Sequence, residues 1–330
     1  MKDLTNIDVS NYLINYVRRG CRIISEGDWD GILGTVLILL WLKSKGLKPS
    51  TRHVLFPHPS ELPGMAIRRA ILIELSPSRG YIAKEKCILI DHHEINGMAE
   101  VKGRRISKIV LETSEHMPSV TRLIINLLKL KNIPYNLTKL IEAVDLIDQG
   151  KSKNNTYAWN LHKAYLINIE DKKFRYKVLK HLVRYEFEKL NKLVLNEAKA
   201  YDKAKSEKYK VLIERTNIYS NERIATTYYM VSDRFEKAIF REVMLDLEKR
   251  HDIVVVLAVK DDSTLEKVHI ATQDDKIDIR TLIAKILRNL RYKGIIGGGK
   301  EKAGSIQFPI LTLRFKNAEK LIDIIVHNLD

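Results

Sequence analysis

The stretch RIISEGDWDGILGTVLILLWLK, residues 22–43, decides the reading of the fold. Arg22–Ser25 is a short β-branched run, Glu26–Gly31 is a turn that carries three carboxylates, and an apolar helical pattern covers Ile32–Lys45. Similar short apolar runs recur at His53–Phe56, Ala70–Leu75, Cys87–Ile90 and Ile106–Leu111, as expected of strands covered on both faces. Helical patterns follow at Ser119–Lys131 and Leu137–Ile147, and Ser119, after Pro118, is the expected N-cap of the first. Alternating β and α elements predict an α/β fold built on a doubly wound parallel sheet. Ligands of such sheets bind beyond the carboxyl ends of the strands.

This first domain is expected over residues 1–150, and the polar stretch KSKNNT (151–156) reads as a loop leaving it. A charged, mainly helical connector is expected over 151–210. A smaller α/β domain is expected over 211–330, with strands at Ile253–Val259, Lys267–Ala271 and Ser305–Phe315 and helices at Ile279–Leu290 and Ala318–Leu329. At 330 residues the chain is long enough for two cores.

Composition narrows the class. With 45% apolar residues the chain is no disordered basic tail, and two cysteines, Cys21 and Cys87, exclude a disulfide scaffold. The N-terminal MKDLTNIDVS has no apolar core of a secretory signal, and Gly31–Leu42 is too short to span a bilayer, so a cytoplasmic protein is expected. Lys and Arg number 57 against 41 Asp and Glu, a formal charge of +16. Residues 151–210 hold 16 basic and 7 acidic side chains, a net +9, interleaved with aromatics such as Tyr157, Trp159, Tyr165, Tyr176, Tyr185 and Tyr201. Basic groups among aromatics suit single-stranded nucleic acid, whose phosphates pair with cations and whose bases stack. The plainer reading is that Leu179, Leu182, Val183, Leu190 and Val194, at helical spacing, simply pack a helix. Both readings stand at this point.

Three segments carry chemistry. Asp28 and Asp30 sit on the strand-to-helix turn, where two carboxylates converge readily on a hard divalent cation, and Gly31 is expected to permit that turn. Asp91-His92-His93 follows the apolar run ending at Ile90, and an acid with two imidazoles is costly there unless something is bound. Gly297-Gly298-Gly299-Lys300 would let backbone amides approach a phosphate closely, although a flexible loop has the same composition.

Together, in this order, the segments resemble the DHH phosphoesterase superfamily, with an HxDxDG turn, a strand-ending acid, a DHH triplet, a further Asp and a C-terminal GGGH loop. Within it the basic, single-strand-friendly chain is similar to the RecJ branch, nucleases dependent on manganese or magnesium. The resemblance implies metal ligands at Asp28, Asp30, Glu74, His92 and Asp145, with Asp148 as the alternative to Asp145. It further implies His93 facing the scissile phosphate, Asp91 supporting the site, and Gly297, Gly298, Gly299 and Lys300 contacting nucleic acid.

The pattern is broken at several points. Glu26 stands where the family has a histidine ligand, Glu74 replaces an Asp, Trp29 fills a slot usually small, and Lys300 replaces the last histidine. Glu26 and Lys300 either face each other as a charge pair or are two unrelated surface charges. An Arg-Ser pair of the family aligns loosely with Ala271-Thr272. RecJ-like archaeal and eukaryotic relatives with damaged motifs serve in replication within the CMG helicase, beside MCM and GINS. The resemblance therefore implies a catalytically impaired, nucleoid-associated replication factor with GINS, MCM and single-stranded DNA as partners. The alternative is a metal-dependent single-strand exonuclease or oligonucleotide phosphodiesterase.

Overall fold

The structure is a computed structural model and describes residues 9–18, 20–58, 61–62, 64–75, 81–83, 87–92, 108–111, 117–220, 222–290, 295–299, 301–308, 313–314 and 318–327. His93 and Lys300 lie outside the described residues, as do parts of the runs expected at Ile106–Leu111 and Ser305–Phe315. The chain divides into two compact units, residues 1–198 and 199–330.

Unit one starts with α1 (Val9–Arg18), β1 (Arg22–Ser25), α2 (Trp29–Ser44), β2 (Val54–Leu55), β3 (Ala66–Ile67), β4 (Ala70–Ile73), β5 (Ile82–Ala83), β6 (Ile88–Asp91) and β7 (Lys108–Leu111). It continues with α3 (Val120–Leu128), α4 (Tyr135–Asp148), α5 (Thr156–Ile167), α6 (Lys172–Val183) and the first part of α7 (Phe187–Glu214). Its main sheet has the order β2-β1-β4-β6-β7 with every pairing parallel. Strand alternation divides the core in two. Ile23, Ile71, Ile73, Ile88 and Ile90 pack with the helices, while Ile24, Leu72 and Leu89 pack with Leu62, Ile67, Tyr81 and Ala83. Both faces are thus buried, as an all-parallel sheet requires. Among the described residues, the second face is covered by extended segments around the small β3–β5 pair instead of a helix.

Local chemistry fixes the helix ends. Asp28 caps α2 by accepting from the Gly31 amide at 2.8 Å, so the helix begins at Trp29, three residues before the apolar pattern. Ser119 caps α3 through the Arg122 amide, and Asn155 and Asp171 cap α5 and α6. Trp29, a large residue in a slot expected to be small, donates its indole N–H to the Leu161 carbonyl at 2.6 Å. Its ring meets Phe174 edge-on at 6.3 Å. It ties α5 and α6 to the acidic turn.

Unit two holds the rest of α7, then β8 (Asn217–Tyr219), β9 (Ile224–Met230), α8 (Arg234–Leu247), β10 (Ile253–Val259), β11 (Leu265–Ala271), α9 (Ile279–Leu290), β12 (Ile296–Gly299), β13 (Ala303–Gln307) and α10 (Ala318–His327). Its sheet runs β12-β13-β11-β10-β9-β8, with β9 and β10 parallel and the other pairs antiparallel. α7 and α8 are joined by a polar ladder. Lys208 meets Asp233 at 2.6 Å, Arg215 meets Glu236 at 2.8 Å, Lys205 pairs with Glu242, and the Tyr201 and Tyr209 hydroxyls donate to Glu242 and Asp246. Much of the positive charge near the end of the 151–210 segment is therefore neutralised within the fold. No helix of the described residues is long and apolar enough to cross a membrane.

Candidate metal centre

The carboxyl ends of β1, β4 and β6 and the last turn of α4 bring Asp30, Glu74, His92 and Asp148 together, one ligand atom from each lying within 4.8 Å of the others. His92 Nε2 lies 3.3 Å from Asp148, 3.5 Å from Glu74 and 3.8 Å from Asp30. This is the topological position at which an open parallel sheet places its ligand.

Each residue is held differently. Glu74 follows β4 in the left-handed region, with φ +56, and its amide donates to the Ile90 carbonyl. That backbone turn aims the carboxylate inward, where the residue is only 2% exposed. Gly31 explains itself here: a Cβ at that position would lie 3.0 Å from Glu74 Oε2 and 2.3 Å from Ser25 Oγ. The glycine is needed for this close approach and not, as the sequence suggested, for turn conformation, since it already lies in the first turn of α2. Asp30 is oriented by α3, whose first amides, Val120 and Thr121, donate to its two oxygens at 2.6 and 2.9 Å.

Burial and mutual repulsion set the electrostatics. Desolvation pushes the Asp30 carboxyl up to about 6, with the Asp148 charge adding to the effect and the Thr121 hydrogen bonds opposing it. Glu74 is raised well above the usual carboxylate range, first by burial and then by Asp28, Asp30, Glu26 and Asp148. Its Oε2 is buried with no hydrogen-bond partner. Three carboxylates and an imidazole, one oxygen of them buried and unsatisfied, form a donor set suited to a hard divalent cation such as Mn²⁺ or Mg²⁺.

The site differs in composition from the set the resemblance implied. Asp30, Glu74 and His92 converge. Asp145 does not join them: Ser119 Oγ donates to its Oδ1 at 2.5 Å and Arg122 Nε to its Oδ2 at 2.7 Å, while Asp148, one turn further along α4, stands in the cluster. Asp145 instead braces the start of α3, whose amides orient Asp30. Replacing Asp145 with Asn should therefore weaken Mn²⁺ binding by roughly tenfold through misorientation of Asp30. Isothermal titration with Mn²⁺ checks this, and an affinity equal to the parent's would remove the bracing role. Asp28 is not in the four-residue cluster, its carboxylate capping α2. Asp91 is buried at the end of β6, where its charge bears on Tyr81. His93 and Lys300 lie outside the described residues, and with Lys300 goes the choice between a pairing to Glu26 and two unrelated charges.

Sequence reasoning missed Arg175. It is 2% exposed on α6, its Cδ lies 3.0 Å from where a Cβ of Gly27 would stand, and its guanidinium donates to the Ile169 carbonyl, so its stem packs behind the Glu26–Asp28 turn. Tyr165 senses all three charges: burial and the Asp28 and Glu26 carboxylates raise its hydroxyl while Arg175 lowers it. The available signal was an Arg at the i position of an apolar i, i+3, i+4, i+7 stripe, with Val178, Leu179 and Leu182.

In unit two the three glycines lie not in a loop but in edge strand β12, paired with β13 in a register that sets Gly299 opposite Gly304. A Cβ on Gly299 would come within 2.4 Å of Gly304 Cα, and one on Gly297 within 3.1 Å of Ile283 and Leu287, whereas Gly298 faces open space. Packing accounts for two of them and not for Gly298. Thr272, aligned with the family's serine, spends its hydroxyl on the Asp252 carbonyl.

Comparison with solved structures places this architecture. The chain is similar to exonuclease RecJ bound to manganese, with a TM-score of 0.61 and 12% identity over 98% of this chain and 94% of that one. It is similar to PggH, a pGpG-specific phosphodiesterase from Vibrio cholerae, with a TM-score of 0.53 and 17% identity over 94% and 99%. CDC45 from Entamoeba histolytica gives a TM-score of 0.51 and 11% identity over 97% and 98%. No family model matches the sequence, and no curated protein matches it. The chain has the fold of the DHH-domain proteins. RecJ and CDC45 are among the solved structures that share this fold.

Proposed function

We propose that this chain is a RecJ-like nucleic-acid-binding protein that retains one divalent-cation site but has lost efficient hydrolysis. We place it as a nucleoid-associated replication factor that engages single-stranded DNA beside GINS and MCM. The observation that carries this reading is the contrast between two halves of one acidic nest. Asp30, Glu74, His92 and Asp148 are gathered as a complete ligand set. On the other half, Glu26 stands where an imidazole is expected, and Asp28 Oδ1 accepts the Gly31 amide at the start of α2. A cation in the retained site would supply Lewis-acid stabilisation to a phosphoryl oxygen. The chain's own contribution is to bury Glu74, orient Asp30 from α3 and pack the Arg175 stem behind the turn. The resemblance to CDC45 across nearly all of both chains supports the replication role.

A second reading has its own support, since the half-buried four-ligand set is what a metal-dependent single-strand exonuclease or oligonucleotide phosphodiesterase would keep, and PggH is named for a dinucleotide substrate. Incubation of 5′-labelled single-stranded DNA and of pGpG with Mn²⁺ separates the two, with Asp148→Asn as control. The first reading expects turnover far below the ~1–10³ s⁻¹ usual for enzymes, together with co-purification of GINS. Turnover within that range, lost in the variant, overturns it in favour of the second.

A further inference from the structure

Of the 16 cations in residues 151–210, most are accounted for inside the fold. Lys172 pairs with Glu61, Lys189 with Glu186, Lys205 with Glu242 and Lys208 with Asp233. Lys203 and Lys210 have acids four residues on, Lys153 and Lys163 lie over the Trp159 ring, and Arg175 is buried.

Lys151 bonds to Gln149, and Lys192 and Lys199 are exposed on α7 without a salt bridge among the described residues; Lys173, Lys177, Lys180 and Arg184 differ in lying together on α6 and its C-cap. All four are exposed, and none has a salt bridge or a side-chain hydrogen bond among the described residues. Their spacing of four, three and four residues puts them in one line along α6 and its C-cap. At 1.5 Å per residue that line is about 16 Å long, the length of roughly five stacked nucleotides of one strand. The opposite side of α6 carries Phe174, Arg175, Val178, Leu179 and Leu182 into the core, so the line faces solvent over its whole length. At its end stands Tyr185, 47% exposed, in the left-handed region with φ +58 and 6.2 Å from the Phe187 ring. A bulky aromatic in that conformation gains nothing from burial at this position, where Gly or Asn would be easier.

We propose that Lys173, Lys177, Lys180 and Arg184 form a phosphate-binding rail for a single strand of nucleic acid, with Tyr185 as the stacking platform for a base at its end. A regular row of unpaired cations fits the backbone of a polyphosphate, and an exposed ring beside it selects a strand whose bases are free to stack. The inner face of the same helix touches the Glu26–Asp28 turn through Arg175, so the rail starts beside the acidic nest. The inference rests on the nucleic-acid reading above only in naming the polymer. Binding in EDTA therefore tests it apart from the metal site.

The test is fluorescence anisotropy of the full chain with a labelled dT20 strand, in EDTA, across a KCl series. Replacing Lys177, Lys180 and Arg184 together by Gln should weaken binding at least about tenfold and flatten the log–log salt slope by about 2. The same loss of three charges at Lys199, Lys203 and Lys210 should change affinity less than about twofold. Tyr185→Ser should cost about fivefold or more on dT20 and nothing on a duplex of equal length, which should bind more weakly. The rail is overturned if the two triple variants behave alike or the first has no effect. It is equally overturned if polyglutamate or phosphatidylserine vesicles compete as well as unlabelled dT20. Duplex binding as tight as single-strand binding, with Tyr185→Ser neutral, overturns the single-strand assignment.

Discussion

Mn²⁺ at a hundredfold excess over its dissociation constant should stabilise the protein by about 2.7 kcal/mol at pH 7.5, and by much less at pH 5. For a unit of this size the gain corresponds to a rise in Tm of roughly 5–10 °C. The pH dependence follows from the raised carboxyls. Asp30 titrates near 6 in the fold against 3.8 for an ordinary Asp, because burial disfavours its charged form. In the metal-free protein its protonated form is favoured by folding. That stabilisation, on the order of 3 kcal/mol, is fully present below pH ~4 and is lost as pH rises through about 6. Glu74 is raised well above the usual carboxylate range, chiefly by burial, and acts in the same direction. The metal-free protein should therefore lose stability from this cluster across the range in which the cation becomes able to bind. Below pH 6 the cation must displace a proton from Asp30, and affinity should fall about tenfold per pH unit from that group alone, more with Glu74. Thermal melts with and without Mn²⁺ at pH 5, 6, 7 and 8 read both limbs. A Mn²⁺ effect independent of pH would mean that the buried carboxyls are not its ligands.

The parallel sheet was legible because its strands are written in Ile, Leu and Val, and Ile23, Ile71, Ile88 and their neighbours occupy the predicted strands. The ends of those strands were legible for the same reason, which put Asp30 and His92 at strand ends, whereas Glu74 was named only through the family resemblance. Choosing between Asp145 and Asp148 was a different problem. Both lie on the last turns of α4, one turn apart, and what diverts Asp145 is a serine and an arginine on another helix. Spacing along one helix contains no information about that partner. Unit two was harder to read at β8, β9 and α8, where Thr226 and Thr227 are buried in a strand by giving their hydroxyls to the Asn217 and Leu212 carbonyls. A polar residue satisfied by a distant carbonyl looks like a loop residue until the carbonyl is in place. Charge was legible in amount but not in availability. Lys205 and Lys208 count as much as Lys177 and Lys180 in the composition, yet only the second pair faces solvent without an acid.

Glu74→Gln should raise the stability of the metal-free protein and at the same time abolish tight Mn²⁺ binding. The carboxylate is 2% exposed, carries an oxygen with no hydrogen-bond partner, and lies among Glu26, Asp28, Asp30 and Asp148. Its ionisation is opposed by every neighbour named, and a neutral amide of the same shape removes that opposition. The amide N–H₂ also adds donors that the carboxylate lacks, in a cluster whose other charges are negative. A gain of about 1–3 kcal/mol in the metal-free state is expected at a pH where the parent carboxyl is ionised, shrinking as the pH falls and that carboxyl protonates. Loss of one anionic ligand from a set of three carboxylates and an imidazole should weaken Mn²⁺ binding at least about a hundredfold. Denaturant melts of the metal-free variant and titration calorimetry with Mn²⁺ measure the two effects separately. The opposite signs are the diagnostic part. A carboxylate kept for the fold loses stability when neutralised, whereas one kept for a cation is a burden until the cation arrives. If the variant proves less stable than the parent at a pH where the parent carboxyl is ionised, Glu74 is a structural acid and the centre must be rebuilt around Asp30, His92 and Asp148.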